Sequence, residues 1–209
     1  MKRKTLSVLV IFMATILIGT MASAAGLVFT DDFSSGNFSK WTNAVIEQGD
    51  AADSELVGVA TISNNALHIK NYDPVGSFFY IAPKGIKTKN FTVSMRVKAN
   101  SLRDGWIGFS IRKETNDRYN GTNNIMIYFR HNIDGSWVAA TRGYFGSVID
   151  INSNFTEQTT FTGDLTVYNT YKVVAKDGTF TAYINDVKVG VLVYDRAATN
   201  NPGYVSINA

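Results

Sequence analysis

Five residues in the middle of the chain have types and spacing that could do chemistry: Arg96, Trp106, Arg112, Tyr128 and Arg130. Arg96 alternates with Met95 and Val97. Trp106 and Arg112 alternate with Ile107, Phe109 and Ile111, and Tyr128 and Arg130 alternate with Ile127 and Phe129. Residues two apart on a strand share a face, and same-face residues on adjacent strands lie about 5 Å apart. The five are therefore expected to form one patch on a sheet face turned away from an apolar core. Trp and Tyr rings stack on the C–H faces of sugar rings. Guanidinium groups present planar donors to hydroxyls and bidentate forks to carboxylates. The bland alternative is a wet outward face, where Arg and Tyr are ordinary strand residues.

Other chemistry is sparse. Glu47, Glu55, Glu114 and Glu157 do not lie in mid-strand with an acidic partner two positions away, and the aspartates fall mostly in turns. His68 alternates with Leu67 and Ile69 and reads as a surface residue. His131 sits beside Asn132 at a strand end. Two isolated histidines make neither a triad nor a zinc site. There is no phosphate loop and no dinucleotide fingerprint. No catalytic residue is nominated.

The elements that must position the patch are strands. From Thr170 to Gly190 three short alternating segments are joined by Asp177-Gly178 and Asn185-Asp186, which read as tight hairpin turns. Val59–Ser63 and Ala66–Lys70 flank Asn64-Asn65 in the same way, and Ser77–Ala82 is another strand. Leu27–Phe33 is expected as the first strand, with Phe38 and Trp41 plugging the end of the fold and 45–58 irregular. The four strands between Phe91 and Phe145 are expected to lie side by side in one sheet. The loop from Glu114 to Asn124 is expected to rim a site or to be a solvated turn. No stretch outside the N-terminus has a long apolar run or helical periodicity. This is the pattern of one all-β, antiparallel β-sandwich.

The N-terminus reads as a secretory signal over residues 1–24. Lys2-Arg3-Lys4 precedes an apolar run from Leu6 to Gly19, and Ala22-Ser23-Ala24 is a small-residue cleavage site. A spanning helix needs about 20 apolar residues, more than this run offers. The expected domain occupies 25–209, with no membrane span after cleavage. The net charge of +3 resides in those first basic residues, so the remainder is balanced and has no basic surface for nucleic acid. The chain has no cysteine. Export without disulfides suits an extracellular bacterial protein held together by its core.

The strand-turn-strand sequence TFTAYINDVKVG (Thr179 to Gly190), the later NPGYVSI (Asn201 to Ile207) and the opening FTDDFSSGNFSKWT (Phe29 to Thr42) resemble the two ends of concanavalin A-like jelly rolls. This is the laminin G-like, lectin and glucanase superfamily. The resemblance covers nearly all of 25–209 and implies a jelly roll whose concave sheet face holds a glycan. Glucanases of the superfamily carry Glu-x-Asp-x-x-Glu on a strand, with two carboxylates about 5 Å apart for retaining hydrolysis. No such strand is present here. The 3-keto-disaccharide hydrolases have a similar shape, and no catalytic pattern of theirs maps residue by residue. Members often hold a structural calcium near the chain ends. Asp31-Asp32 and the loop with Asp50, Asp53 and Glu55 offer the hard oxygen ligands that calcium takes. No other cofactor is implied. Such domains usually close with a strand beyond the Gly-x-Val-x-Ile motif, so the sandwich is expected one strand short or the sequence part of a longer product with a downstream catalytic domain.

The resulting expectation is a secreted, non-catalytic, lectin-like domain that takes a polysaccharide on Trp106 and Tyr128 with Arg96, Arg112 and Arg130. The alternatives are a jelly-roll glycoside hydrolase or polysaccharide lyase, and a structural or adhesive surface protein.

Overall fold

The computed structural model describes residues 8–13, 18–19, 27–42, 45–48, 58–71, 77–99, 105–115, 123–145, 148–196 and 201–209. Two antiparallel sheets face one another. The first half of the chain supplies β1 (Val8–Met13), β2 (Ile18–Gly19), β3 (Leu27–Phe29), β4 (Val45–Gln48), β5 (Gly58–Ser63), β6 (Ala66–Asn71), β7 (Ser77–Ile81), β8 (Lys87–Thr88) and β9 (Phe91–Ala99). The second half supplies β10 (Trp106–Lys113), β11 (Asn124–His131), β12 (Ser136–Tyr144), β13 (Val148–Asp150), β14 (Phe155–Gln158), β15 (Phe161–Thr162), β16 (Asn169–Lys176), β17 (Thr179–Ile184), β18 (Val187–Val193) and β19 (Gly203–Asn208).

One sheet runs β14-β18-β17-β16-β9-β1-β6-β5, with β2 joining β3 to β9. The other runs β13-β12-β11-β10-β19-β7-β4, with β15 on β12 and β8 on β19. This is the antiparallel jelly-roll sandwich expected from the sequence. Period-two alternation puts Phe91, Val93, Met95 and Val97 of β9 and Tyr171, Val173 and Ala175 of β16 against the interior. From the facing sheet come Ile107, Phe109, Ile125, Ile127 and Phe129.

The hairpin turns form where the sequence places them. Asn64 and Asn65 have φ of 51° and 55°, Asp177 and Gly178 of 45° and 83°, and Asn185 and Asp186 of 48° and 64°. Both central residues at positive φ give the turn whose twist matches the strands it joins, and Asn, Asp and Gly tolerate it best. Trp41 is buried in the core, stacked on Phe33 at 5.6 Å and edge-on to Phe29 at 4.9 Å.

Three expectations need correction. The strands from Phe91 to Phe145 do not form one sheet: β9 lies in the first, and β10, β11 and β12 in the second. Alternation reports which side of a strand is buried. It does not report which layer of a sandwich the strand joins, because the inner faces of both layers meet the same core. Val45–Gln48, expected to be irregular, pairs with β7 from Val45↔Tyr80 to Gln48↔Ser77. The first strand of the expected domain ends at Phe29, because the chain turns before Phe33, whose φ is +58°. The apolar run read as the signal contributes β1 and β2 to the first sheet.

Candidate functional site

Register on the face of the second sheet turned away from the interior defines three rows. Trp106 pairs with Arg130, and Arg130 with Val138. Gly108 pairs with Tyr128 on one side and Asn208 on the other, which extends to Ala140 and Tyr80. Ser110 pairs with Met126 and Ser206, and Met126 with Arg142. Small residues thus line the middle of the face, with large side chains on both sides.

On one side, Met126, Tyr128 and Ala140 form an apolar cluster separate from the main core, with Trp106 packed against it. The Trp106 and Tyr128 rings are 5.6 Å apart and tilted by 54°. Trp106 is half-buried, Tyr128 is 8% exposed, and Arg130 and Arg142 are exposed. Trp106, Arg130 and Arg142 reach solvent at this end, above the buried Met126, Tyr128 and Ala140.

The other side is covered. Asn208 donates from Nδ2 to the Ser110 Oγ at 2.6 Å. Lys113 is fully buried, donates from Nζ to the Tyr80 phenol oxygen at 2.7 Å, and lies 4.1 Å from the centre of that ring. A bulge brings Lys113 there. After Ser110↔Ser206 the next pair is Lys113↔Tyr204, and between them Arg112 takes φ +51°. An extra residue on one strand re-aims the side chains that follow. Gly203 makes room for it, since a Cβ on Gly203 would stand 2.4 Å from the Arg112 carbonyl carbon.

The bulge also decides the place of Arg112. Its guanidinium lies 5.0 Å from the centre of the Phe180 ring on the opposite sheet, and Nη2 donates to the Lys89 carbonyl at 3.2 Å. Burial pulls its pKa below the ordinary arginine value, against the attraction of Asp177 and Asp195. Arg112 therefore leaves the outward patch. Arg96 leaves it too, because β9 belongs to the other sheet; it is exposed there and lies 5.3 Å from the Tyr168 ring, with Lys98 at 5.1 Å. Of the five residues singled out, Trp106, Tyr128 and Arg130 come together. Lys113, Tyr80, Asn208 and Met126 were not foreseen. The alternation of Ser77–Ala82 carried a signal for Tyr80, and nothing in the sequence carried one for Lys113.

Both histidines and several of the described acids make local contacts. His68 Nε2 lies 3.0 Å from the Ser63 carbonyl, and the His131 ring lies 4.7 Å from that of Trp137. Asp31 is buried and accepts hydrogen bonds from the Trp41 indole and the Phe33 amide. Asp32, Asp134 and Asp164 each cap a turn through a residue two positions on. Hydrogen bonds from Ser34, Ser136 and Thr166 respectively hold their carboxyls below the usual range. Among the described residues no three acidic or histidine side chains gather as metal ligands. Asp50, Asp53, Glu55 and the middle of the 114–124 loop lie outside the described residues.

Residues 28–208 match the 3-keto-alpha-glucoside-1,2-lyase-like domain, and the chain belongs to that family. No curated protein matches it. Among solved structures it is similar to LamAcat from Zobellia galactanivorans, with 15% identity, a TM-score of 0.59, and coverage of 87% of this chain and 85% of that one. A second neighbour is a glycoside hydrolase family 16 endo-glucanase from Bacteroides ovatus, at 14% identity, a TM-score of 0.54, and 87% and 85% coverage. At these identities the likeness establishes the jelly-roll fold.

Proposed function

We propose that this chain is a secreted carbohydrate-recognition domain that takes a polysaccharide on the open end of its outward sheet face, without cleaving it. The observation that carries the reading is the Trp106–Tyr128 pair, an aromatic shelf standing outside the main core and backed by Met126 and Ala140. A sugar's C–H face stacks on such a shelf, and Arg130, the register neighbour of Trp106, supplies donors to its hydroxyls or carboxylates. Extracellular placement rests on the basic, apolar and small-residue order of 1–24. One of the two structural neighbours, the endo-glucanase, is consistent with a glycan partner.

One observation favours a second reading, an elimination on a 3-keto-glucoside. That reaction needs a base for the C2 proton, made acidic by the neighbouring ketone, and a donor for the departing glycosidic oxygen. The Tyr80 phenol and the Lys113 ammonium are ionisable partners at 2.7 Å on the same sheet face. Lys113 has no exposed surface at all, and that makes this the lesser reading.

Affinity electrophoresis through neutral and acidic polysaccharides tests the first reading, with wild type, Trp106→Ala and Tyr128→Ala run side by side. Retardation by one polymer, lost in both variants, is the expected result. No retardation of the folded wild type by any polymer overturns it. Release of an aglycone from a methyl 3-keto-α-glucoside by the wild type would move the second reading to the front.

A further inference from the structure

Arg96 stands apart from the Trp106–Tyr128 shelf because β9 belongs to the first sheet, and it does not stand there alone. The outward rows of that sheet follow from its register. Arg96 pairs with Thr170. Ser94 pairs with Lys172, which continues to Tyr183 and Lys188, and Thr92 pairs with Val174, which continues to Thr181. Lys98 lies two residues beyond Arg96 on the same face, about 6.8 Å along the strand. Tyr168, just before the Asn169↔Val97 pair, stands beside it. The Tyr168 ring is half-buried and both cations lie against it, the Arg96 guanidinium 5.3 Å and the Lys98 ammonium 5.1 Å from its centre.

The cations of this face are answered differently. Lys172 is paired with Asp186, and Lys188 with Glu157. Among the described residues no carboxylate stands within ion-pair distance of Arg96 or Lys98, and their charges meet only the Tyr168 ring. A ring's quadrupole attracts a cation without cancelling its charge. Two positive charges are therefore gathered on one ring, with no anion of the chain to balance them. The surface beside them is hydroxylic and low: Thr170, Ser94, Thr92 and Thr181 are short, half-buried side chains.

We propose that Arg96, Lys98 and Tyr168 form an oxyanion site on the outer face of the first sheet, and that its ligand is a polysaccharide bearing sulfate or carboxylate groups. The guanidinium takes an oxyanion in its planar fork, and the ammonium adds a point charge beside it. The hydroxyls of Thr170 and Ser94 meet those of the sugar. Two cations match sparse anionic groups along a sugar chain. Nucleic acid, with a phosphate at every step, needs a longer basic row than a charge-balanced domain offers. The site lies on the sheet opposite the shelf and does not depend on the reading of the shelf.

The test is titration of the full chain with dextran sulfate, polygalacturonate and neutral dextran. Arg96→Gln/Lys98→Gln is compared with Lys84→Gln/Lys176→Gln, which removes the same charge from two exposed lysines elsewhere. The expected result is binding of at least one acidic polymer and not of neutral dextran, weakening as salt rises. The first double variant should lose about tenfold or more in affinity, and the second less than about twofold. Trp106→Ala should leave this binding unchanged, which separates the site from the shelf and lets either reading fail alone. Equal loss in the two double variants would mean diffuse charge and overturns the site. No binding of either acidic polymer, or equal binding of neutral dextran, also overturns it. So does binding to vesicles containing phosphatidylglycerol with none to the acidic polymers, which would assign the cations to a lipid surface.

Discussion

The Lys113 ammonium and the Tyr80 phenol meet at 2.7 Å, and Lys113 is fully buried. A buried charge needs acceptors, and the Tyr80 oxygen is one of them, so the two halves of the pair are unequal. Tyr80→Phe removes an acceptor and leaves the charge, at an expected cost of about 1.5–3 kcal/mol. Lys113→Met removes the charge and keeps most of the stem, and is expected to cost less. Urea denaturation of the two variants checks the order. The reverse order would mean that the stem's packing, rather than the charge, dominates.

Arg112 and Arg130 look alike in sequence and are expected to behave in opposite ways. Arg112→Ala loses the Phe180 contact and the bond to the Lys89 carbonyl, and should destabilise by about 2 kcal/mol without touching the shelf. Arg112→Gly should be milder by about 1 kcal/mol, because glycine adopts φ +51° without a Cβ clash. Arg130→Ala, on an exposed site, should leave stability within about 0.5 kcal/mol and weaken polysaccharide retardation. Thermal melts and affinity gels on the same three variants separate the roles.

Gly108 sets the depth of the face beside the shelf. An added Cβ there would stand 2.4 Å from the Ile127 carbonyl oxygen and 2.6 Å from the Tyr128 Cα, so backbone must move. Gly108→Ala is expected to cost about 1–3 kcal/mol and to shift the Tyr128 ring. Near-ultraviolet circular dichroism, which reads the coupled Trp106 and Tyr128 rings, should change with it. An unaltered spectrum with unchanged stability would refute the close packing.

Tyr171 is packed between Phe129 at 5.1 Å and Trp137 at 5.4 Å, and burial pushes its phenol well above the ordinary tyrosine range. The folded state holds this proton more tightly than the unfolded state does. Its contribution to stability is complete below about pH 10, the unfolded value, and is lost as pH climbs from there toward the folded value. Tyr171→Phe should flatten the alkaline limb of the stability curve. Equal slopes for wild type and variant above pH 10 would contradict this.

Much of the fold was legible because its signals are local. Asp177-Gly178, Asn185-Asp186 and Asn64-Asn65 announce their turns through residue types that tolerate positive φ, and the strands between them alternate cleanly. What stayed hidden is non-local or compensated. Nothing in Phe91–Ala99 says that its edge neighbour is Asn169–Lys176 rather than Trp106–Lys113, since both are apolar on one side. Ile111-Arg112-Lys113 reads as plain alternation, and only the approach of Gly203 turns it into a bulge that exchanges an arginine for a lysine. For the site, the aromatic pair was legible and the arginine row was not. Val8–Met13 reads as part of an export signal and pairs as a strand with the same apolar residues, so composition alone could not separate the two.

The pairing map also sets a clock. Gly108 waits for Asn208, and Met95 for Tyr171, so strands in both layers find partners only after far later residues arrive. The contacts that form without waiting are the hairpins between sequence neighbours: β5–β6, β10–β11–β12 and the β16–β18 meander. A chain delivered N-terminus first, through a ribosome tunnel or a membrane pore, can thus form its hairpins early but closes neither sheet until nearly its whole length has emerged. The last strands to arrive then join hairpins that are already made. High contact order, a handicap for speed in a test tube, keeps such a polypeptide threadable for as long as threading lasts.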